Sequence, residues 1–179
     1  DLGRDVRKLK QISLDTGLTI VASTGFYLTQ YHPEWLASAS AAAIAEVYVR
    51  ELTEGIDDTG IKAGIIAEIA SSPERFEGEE KKILRAAGIA SRQTGAAVST
   101  HTGRATAVET IETLLAEGVD PDKIIIGHQD LIDDTKYHVR LLKYGVNIAF
   151  DTCGKKAYMP DETRARNALA IMETGYGDH

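Results

Sequence analysis

The feature that most constrains the fold of this chain is a repeated unit in which a short apolar run ends near a residue that can bind a metal ion. Residues 64–69 contain Glu68, residues 96–101 end on His101, and residues 123–128 end on His128. A segment with helical spacing follows each run. Apolar runs without alternation are typical of parallel strands buried on both faces. The repeat therefore predicts strands alternating with helices in an α/β fold.

The remaining segments extend this alternation. Strands are predicted at residues 19–24, 64–69, 96–101, 123–128 and 146–151. Helices are predicted within residues 1–16, before Gly17, and at 41–55, 79–94, 105–117, 133–144 and 161–174. Residues 28–40 show no clear period and are expected to cross the surface, and residues 73–78 are expected to form a polar loop.

The spacing of the repeats leaves two architectures open. From Glu68 to His101 is 33 residues, and the next step, to His128, is 27. These steps fit βα units of roughly 30 residues, which occur in open doubly wound sheets and in (β/α)₈ barrels. No Gly-x-Gly-x-x-Gly motif follows any strand, which disfavours a dinucleotide-binding sheet. Five units in 179 residues would be only a part of a barrel, because a complete one takes about 250 residues.

Three potential metal ligands lie at the ends of three consecutive predicted strands. In parallel α/β folds the functional groups gather at the carboxyl ends of the strands, where Glu68, His101 and His128 are expected to lie. Carboxylate and neutral imidazole are the ligands that zinc and related divalent ions prefer. One such residue would usually be an ordinary polar residue of a loop, but three in series predict a metal site.

Other acidic and histidine residues have two interpretations each. Asp130 could accept a hydrogen bond from His128, or it could cap the following helix. Asp151 ends the fifth strand and could face the site or bond the turn amides. His32, in a predicted loop, and His138, on a predicted helix, are expected to be solvated.

A cationic segment follows the fifth strand. It contains Lys155, Lys156 and Arg164, with Tyr158 between them. In an acidic protein these side chains could hold an anionic group of a substrate, such as a phosphate or a carboxylate. The alternative is a solvated run of charges.

Composition and charge exclude several classes of partner. The formal net charge of −7 argues against nucleic acid and anionic membranes. No apolar run approaches the roughly 20 residues of a membrane span. The single cysteine, Cys153, rules out an internal disulfide framework and suits a reducing compartment, so a cytoplasmic location is expected.

Several of these motifs resemble the phosphotriesterase-related family of the amidohydrolase superfamily, and within it the phosphotriesterase homology proteins. The resemblance rests on residues 20–27 (IVASTGFY), 62–69 (KAGIIAEI), 99–102 (STHT), 127–130 (GHQD) and 150–152 (FDT), which occur in the family's order. It implies that residues 1–179 are part of one (β/α)₈ TIM barrel domain and cover roughly its strands 3 to 7.

The resemblance also implies a centre of two metal ions, usually zinc. His101 and His128 match the histidines that end the family's fifth and sixth strands and bind one ion. Many members carry a carboxylated lysine on the fourth strand, whereas the homology proteins carry a glutamate there, so Glu68 is expected to bridge the ions and to be catalytic. The family's first-strand His-x-His pair and eighth-strand aspartate would lie before Asp1 and after His179.

The function that this resemblance implies is a metal-dependent hydrolase. Its expected substrates are small esters or lactones, some of them phosphorylated, with phosphotriesters or other phosphoesters as the alternative. Two other interpretations stay open: a non-catalytic piece of a barrel that lacks part of the metal site, and a protein that binds a ligand in the same pocket without chemistry. The oligomeric state is open, with a homodimer as one expectation.

Overall fold

Five parallel strands form one sheet whose spatial order follows the chain. The computed structural model describes residues 4–72 and 78–177. The strands are β1 (Ser23–Thr24), β2 (Ile65–Ala70), β3 (Val98–His101), β4 (Ile124–Ile126) and β5 (Asn147–Ile148). They pair in the order β1-β2-β3-β4-β5, and every pair is parallel.

Seven helices accompany the sheet within the described ranges, and most were predicted within a few residues. They are α1 (Val6–Thr16), α2 (Trp35–Ser38), α3 (Ala41–Thr53), α4 (Gly78–Thr94), α5 (Ala107–Ala116), α6 (Thr135–Leu142) and α7 (Asp161–Glu173). Asp5, Ser40 and Asp134 begin α1, α3 and α6, and each accepts a hydrogen bond from a first-turn amide. Gly17 ends α1 in the left-handed conformation.

The strand order decides between the two architectures. A doubly wound sheet reverses its strand order at a switch point, and no reversal occurs among these five strands. Right-handed crossovers that always advance in one direction place all their helices on the same face. The sheet is therefore a five-strand arc of a (β/α)₈ TIM barrel, and the apolar core lies between this arc and its outer helices. Fully buried members of that core include Ile66, Val98, Ile124, Ile83 and Ile111.

The first predicted strand is shorter than expected, and the prediction that residues 19–24 are buried was wrong for its first half. β1 contains only Ser23 and Thr24, whereas Val21 is 64% exposed. β1 lies at an edge of the described sheet and pairs only with β2. Side chains just before it therefore have packing partners on one side only. β5 occupies the opposite edge and is similarly short.

Residues 28–40 are more ordered than the sequence suggested. They contain a 3₁₀ turn at Thr29–Tyr31 and the short helix α2, and Leu36 is completely buried in the main core. The predicted polar loop at 73–78 falls almost entirely outside the described residues. None of the helices in ranges 4–72 and 78–177 has the length and apolar composition that crossing a bilayer requires.

Candidate metal centre

Glu68, His101 and His128 meet at the carboxyl ends of β2, β3 and β4. Oε2 of Glu68 lies 3.4 Å from Nδ1 of His101, and its Oε1 lies 3.6 Å from Nε2 of His128. The two facing imidazole nitrogens are 2.6 Å apart. Each residue offers one ligand atom, and these atoms all lie within 4.8 Å of one another.

An irregularity in the β2–β3 ladder explains how Glu68 comes to face the histidines. Ile66 pairs with Val98, but Ile69 pairs with Thr100, so β2 holds one residue more than β3 between these two pairs. Such a β-bulge bends the strand and redirects its side chains, and bulges are common beside active sites. The strand can therefore keep Ile66 and Ile69 in the core while it presents Glu68 at the mouth of the barrel.

Close approach of β3 and β4 requires a glycine before His128. The Gly127 amide donates a hydrogen bond to the Thr100 carbonyl oxygen at 3.0 Å, and a Cβ atom on Gly127 would lie 2.1 Å from that oxygen. His128 itself has a left-handed backbone, with φ of 59°. The chain thus turns sharply at the end of β4, and this turn directs the imidazole of His128 toward His101 rather than along the strand.

Asp151 orients the imidazole of His128. Its Oδ1 accepts a hydrogen bond from Nδ1 of His128 at 2.8 Å and from the His128 amide at 3.2 Å. A carboxylate can only accept, so Nδ1 carries a hydrogen, and Nε2 is the ring nitrogen that faces Glu68 and His101. Histidine ligands of metals typically have such a partner. Both roles left open for Asp151 are therefore present, because its carboxylate faces the site and also accepts from the amide of the turn at His128.

Tyr27 is a further residue of the site, and the sequence analysis did not single it out. It lies three residues beyond β1, and its hydroxyl is 3.1 Å from Nε2 of His101. Its ring packs edge-on against that imidazole, with 4.9 Å between the centroids. Burial, together with the nearby charge of Glu68, raises the pKa of Tyr27. Its position directly after a strand end was the only sequence signal for it.

The Glu68 carboxylate is held in its charged form. A hydrogen bond with His101 lowers its pKa most, burial opposes this, and the charges of His128, His101 and Lys155 lower the pKa further. A charged carboxylate between two imidazoles suits a divalent cation. Two ligands bound to one ion at about 2.0–2.2 Å are no more than about 4.3 Å apart, and the three contacts among these residues lie within that limit.

Comparison with known proteins agrees with this geometry. A model of the phosphotriesterase family matches residues 1–179. The chain belongs to the phosphotriesterase family. The phosphotriesterase homology protein of Escherichia coli K12 is 38% identical over 175 residues, which are 97% of this chain and 60% of that protein. Its crystal structure, complexed with phosphate in the active site, matches with a TM-score of 0.93 at 37% identity and with the same coverage.

Two other members of the phosphotriesterase family carry different activities in their names. The aryldialkylphosphatase of Saccharolobus solfataricus is 33% identical over 179 residues, 99% of this chain and 57% of that protein. A mutant phosphotriesterase-like lactonase from Deinococcus radiodurans matches with a TM-score of 0.88 at 36% identity, covering 98% of this chain and 57% of that one. The chain thus spans about 57–60% of the length of these relatives.

Four residues were predicted to contact the substrate, and two of them, Lys155 and Lys156, have different surroundings. Lys155 is exposed, and its charge makes the smallest of the contributions that lower the pKa of Glu68, after those of His101 and His128. The charge of Lys156 instead acts on Asp161, whose pKa is lowered mainly by hydrogen bonds from the Gly154 amide and from Arg164. Tyr158, the third, is 68% exposed on the same loop. Lys155 is therefore the cation that the structure relates to the metal ligands.

Arg164, the fourth, is buried and has no donor left for a substrate. Its five N–H groups bond to Oδ2 of Asp130, Oγ1 of Thr152, Oδ1 of Asp161 and the carbonyls of residues 155 and 159. It is 2% exposed. These contacts correct its predicted role, because they hold the loop after β5 in place and do not face solvent.

The hydrogen bonds of Arg164 and Thr152 to Asp130 show that both predicted roles of Asp130 were wrong. Its side chain bonds to Arg164 and Thr152, so it neither accepts from His128 nor caps α6. Asp134 caps that helix, since its carboxylate accepts a hydrogen bond from the Tyr137 amide.

The prediction that His32 and His138 are solvated was wrong. The His32 side chain is 3% exposed and bonds to Glu79 and to the carbonyl of Tyr27. His138 is completely buried, and its Nε2 bonds to the Gln129 carbonyl at 2.9 Å. Burial lowers the pKa of His138, so its imidazole stays neutral at physiological pH.

Removing the carboxylate of Asp151 is expected to weaken metal binding without unfolding the protein. In Asp151→Ala the Nδ1–H of His128 loses its acceptor, and the ring can rotate or change tautomer. Loss of such a partner typically costs about 10- to 100-fold in metal affinity. Zn²⁺ titration against a competing chelator measures this. Asp122→Ala, which removes a carboxylate that is 73% exposed at a distant loop, is the matched control. Equal affinity in both variants would contradict the role of Asp151.

Proposed function

We propose that this protein is a metal-dependent hydrolase of the phosphotriesterase family that acts on ester or lactone bonds of small molecules. The observation that carries the proposal is the convergence of Glu68, His101 and His128 from three successive strand ends. Membership of the family supports it, since relatives are named as a lactonase and as an aryldialkylphosphatase. Zinc is the proposed metal, because carboxylate and imidazole ligands suit it, and the resemblance to the phosphotriesterase-related family implies two ions in the centre.

Bound divalent ions supply Lewis-acid polarisation of the substrate and activation of the attacking water. The residues of this chain would bind these ions and fix the positions of the ligand atoms. His101 and His128 provide neutral nitrogen ligands, and Asp151 fixes which nitrogen of His128 is offered. Glu68 provides the charge that neutralises the cations, so we propose it as the bridging and catalytic carboxylate.

The electrostatics of the loop after β5 support a substrate with an anionic group. Lys155 lies close enough to Glu68 for its charge to affect that carboxyl. A phosphate or carboxylate on the substrate would pair with this ammonium while the ester bond lies over the metal ligands. We propose Lys155 as the main substrate contact, with Lys156 and Tyr158 as further contacts from the same exposed loop.

Hydrolysis of phosphotriesters is the second candidate, favoured by the 33% identity to the aryldialkylphosphatase. Phosphotriesters carry no charge, so they gain nothing from Lys155. The two candidates therefore differ in how they depend on this lysine. We also propose a cytoplasmic location, which the single cysteine supports, and a homodimer.

The test is a hydrolysis assay of the zinc-loaded protein with three substrates: a neutral lactone, a lactone carrying a phosphate, and a neutral phosphotriester. Lys155→Met is expected to raise KM for the phosphorylated lactone by roughly tenfold, the value of one charge-assisted hydrogen bond. KM for the neutral substrates should stay within about twofold. Arg7→Met, an exposed cation on α1, is the control. No metal-dependent turnover of any ester or lactone by the wild-type protein would contradict the proposed function.

A further inference from the structure

Gln129 occupies an unusual position directly after His128. It is completely buried in the 3₁₀ turn at Gln129–Leu131, and both its main-chain groups and its side-chain nitrogen are hydrogen-bonded, whereas its side-chain oxygen has no hydrogen-bond partner among the described residues. We infer that Gln129 is a positioning residue that holds the two histidine-bearing strand ends at the separation a metal ion needs. This inference rests on the metal-dependent function proposed above.

The side-chain amide of Gln129 joins the two loops that carry the histidines. Its Nε2 donates to the Thr102 carbonyl at 3.0 Å and to the Gly127 carbonyl at 2.6 Å. Thr102 follows His101, and Gly127 precedes His128. Both acceptors are carbonyl oxygens, so the amide nitrogen must face them. One NH₂ group therefore links the backbone on either side of the metal site.

The main chain of Gln129 is fixed just as firmly. Its amide donates to the Ala149 carbonyl at 3.0 Å, which ties it to the chain just after β5. Its carbonyl accepts from Nε2 of His138 at 2.9 Å, which ties it to α6. Because the backbone of Gln129 is held from two sides, its side-chain amide has a fixed position between the ends of β3 and β4.

Glutamine is the residue type that this place requires. A glutamate would set a carboxylate oxygen against two carbonyl oxygens, and an apolar residue would leave both carbonyls without this donor. Asparagine is shorter by one methylene and could not span the same two acceptors. Apart from Gln129, hydrogen bonds from the Gly127 amide to the Thr100 carbonyl and from the Thr100 hydroxyl to the Ile125 carbonyl join these strand ends, and the two imidazoles are in contact.

The test compares Gln129→Met with a matched loss of a buried amide elsewhere. Methionine has the length of glutamine and no donor. The control is Asn167→Leu, because Asn167 on α7 is also buried and donates to the Ile132 carbonyl and to Asp133, and not to the carbonyls of Thr102 or Gly127. Gln129→Asn is the second variant, which keeps an amide and serves if the methionine variant does not fold. Thermal unfolding of each variant establishes that it is folded at the assay temperature.

Two properties are measured: the ring signals of the metal-free protein and the binding of Co²⁺. In the metal-free protein, ¹⁵N signals of the His101 and His128 rings are expected to shift in Gln129→Met and Gln129→Asn but not in Asn167→Leu. With Co²⁺, the Gln129 variants should bind about 10- to 100-fold more weakly than wild type, with a changed visible spectrum, and Asn167→Leu within about threefold.

The outcomes separate this inference from the proposed function. Folded Gln129 variants with wild-type ring signals and wild-type Co²⁺ affinity would overturn the positioning role. A wild-type protein that binds no Co²⁺ or Zn²⁺ would instead contradict the proposed function. In that case the ring signals of the metal-free protein still decide whether Gln129 sets the positions of the two histidines.

Discussion

Replacing Glu68 with glutamine is expected to weaken metal binding strongly and to lower turnover by orders of magnitude. The amide keeps the size of the side chain but removes the negative charge that faces His101 and His128. A metal ion contributes several kcal/mol of transition-state stabilisation, so weakening its site should lower kcat/KM by about 10²–10³-fold or more. Loss of a direct ligand should also exceed the roughly 10- to 100-fold loss of affinity that follows removal of an outer partner.

Metal content after dialysis and kcat/KM at saturating Zn²⁺ measure the two effects separately. Glu46→Gln, which changes an exposed glutamate of α3, is the control and should behave as wild type. If excess Zn²⁺ restores full turnover to Glu68→Gln, its role is limited to affinity. Unchanged activity at limiting Zn²⁺ would remove Glu68 from the site altogether.

Gly127→Ala is expected to be among the most destabilising single-methyl changes in this chain. The new Cβ would lie 2.1 Å from the Thr100 carbonyl oxygen, so β3 and β4 must separate at the point where the Gly127 amide now donates to that oxygen. Overpacking typically costs 1–3 kcal/mol, and a clash with backbone belongs at or above the upper end, about 3 kcal/mol. The entropy gained by replacing glycine, roughly 0.4–1 kcal/mol, does not offset this.

Thermal unfolding checks this prediction. A loss of about 3 kcal/mol should lower Tm by roughly 6–12 °C in a chain of this size. Gly177→Ala is the matched control, because a Cβ there meets Met172 at an ordinary contact distance of 3.7 Å. Metal affinity should fall as well, since His128 is the next residue. A Tm within about 2 °C of wild type would mean that the two strands can separate at little cost.

Alternation of strands and helices was predictable because it depends on local patterns. Apolar runs and the glycines that end α1 and α4 placed most elements within a few residues. Burial of the sheet edges was not predictable from those patterns. Val21 has the β-branched character of a core strand residue, yet it is exposed in this five-strand arc, in which β1 pairs only with β2. Position within the sheet, and not residue type, determines that difference.

The convergence of the three candidate metal ligands was predictable for a topological reason, and the partner of His128 was not. Parallel strands place their last residues on one edge, so Glu68, His101 and His128 had to lie near each other. Which carboxylate meets His128 depends on the turn that follows. The left-handed backbone at His128 sends Asp130 into the buried contact with Arg164 and leaves Asp151, from the next strand, beside the imidazole.

The burial of His138 could have been predicted from the sequence, whereas the burial of His32 could not. His138 is three and four residues before Leu141 and Leu142, which are buried on the same side of α6, so helical spacing contained the evidence for its burial. His32 lies in a segment without period, and it is buried through contacts with Glu79 and Tyr27. Only the tertiary structure brings those groups together.

Anomalous scattering on either side of the zinc edge, from a crystal grown with Zn²⁺, tests the central claim most directly. The account predicts a peak within about 2.0–2.2 Å of a Glu68 oxygen and of one ring nitrogen each of His101 and His128. A zinc-loaded crystal with no peak between these residues, or with the three side chains pointing apart, would contradict it.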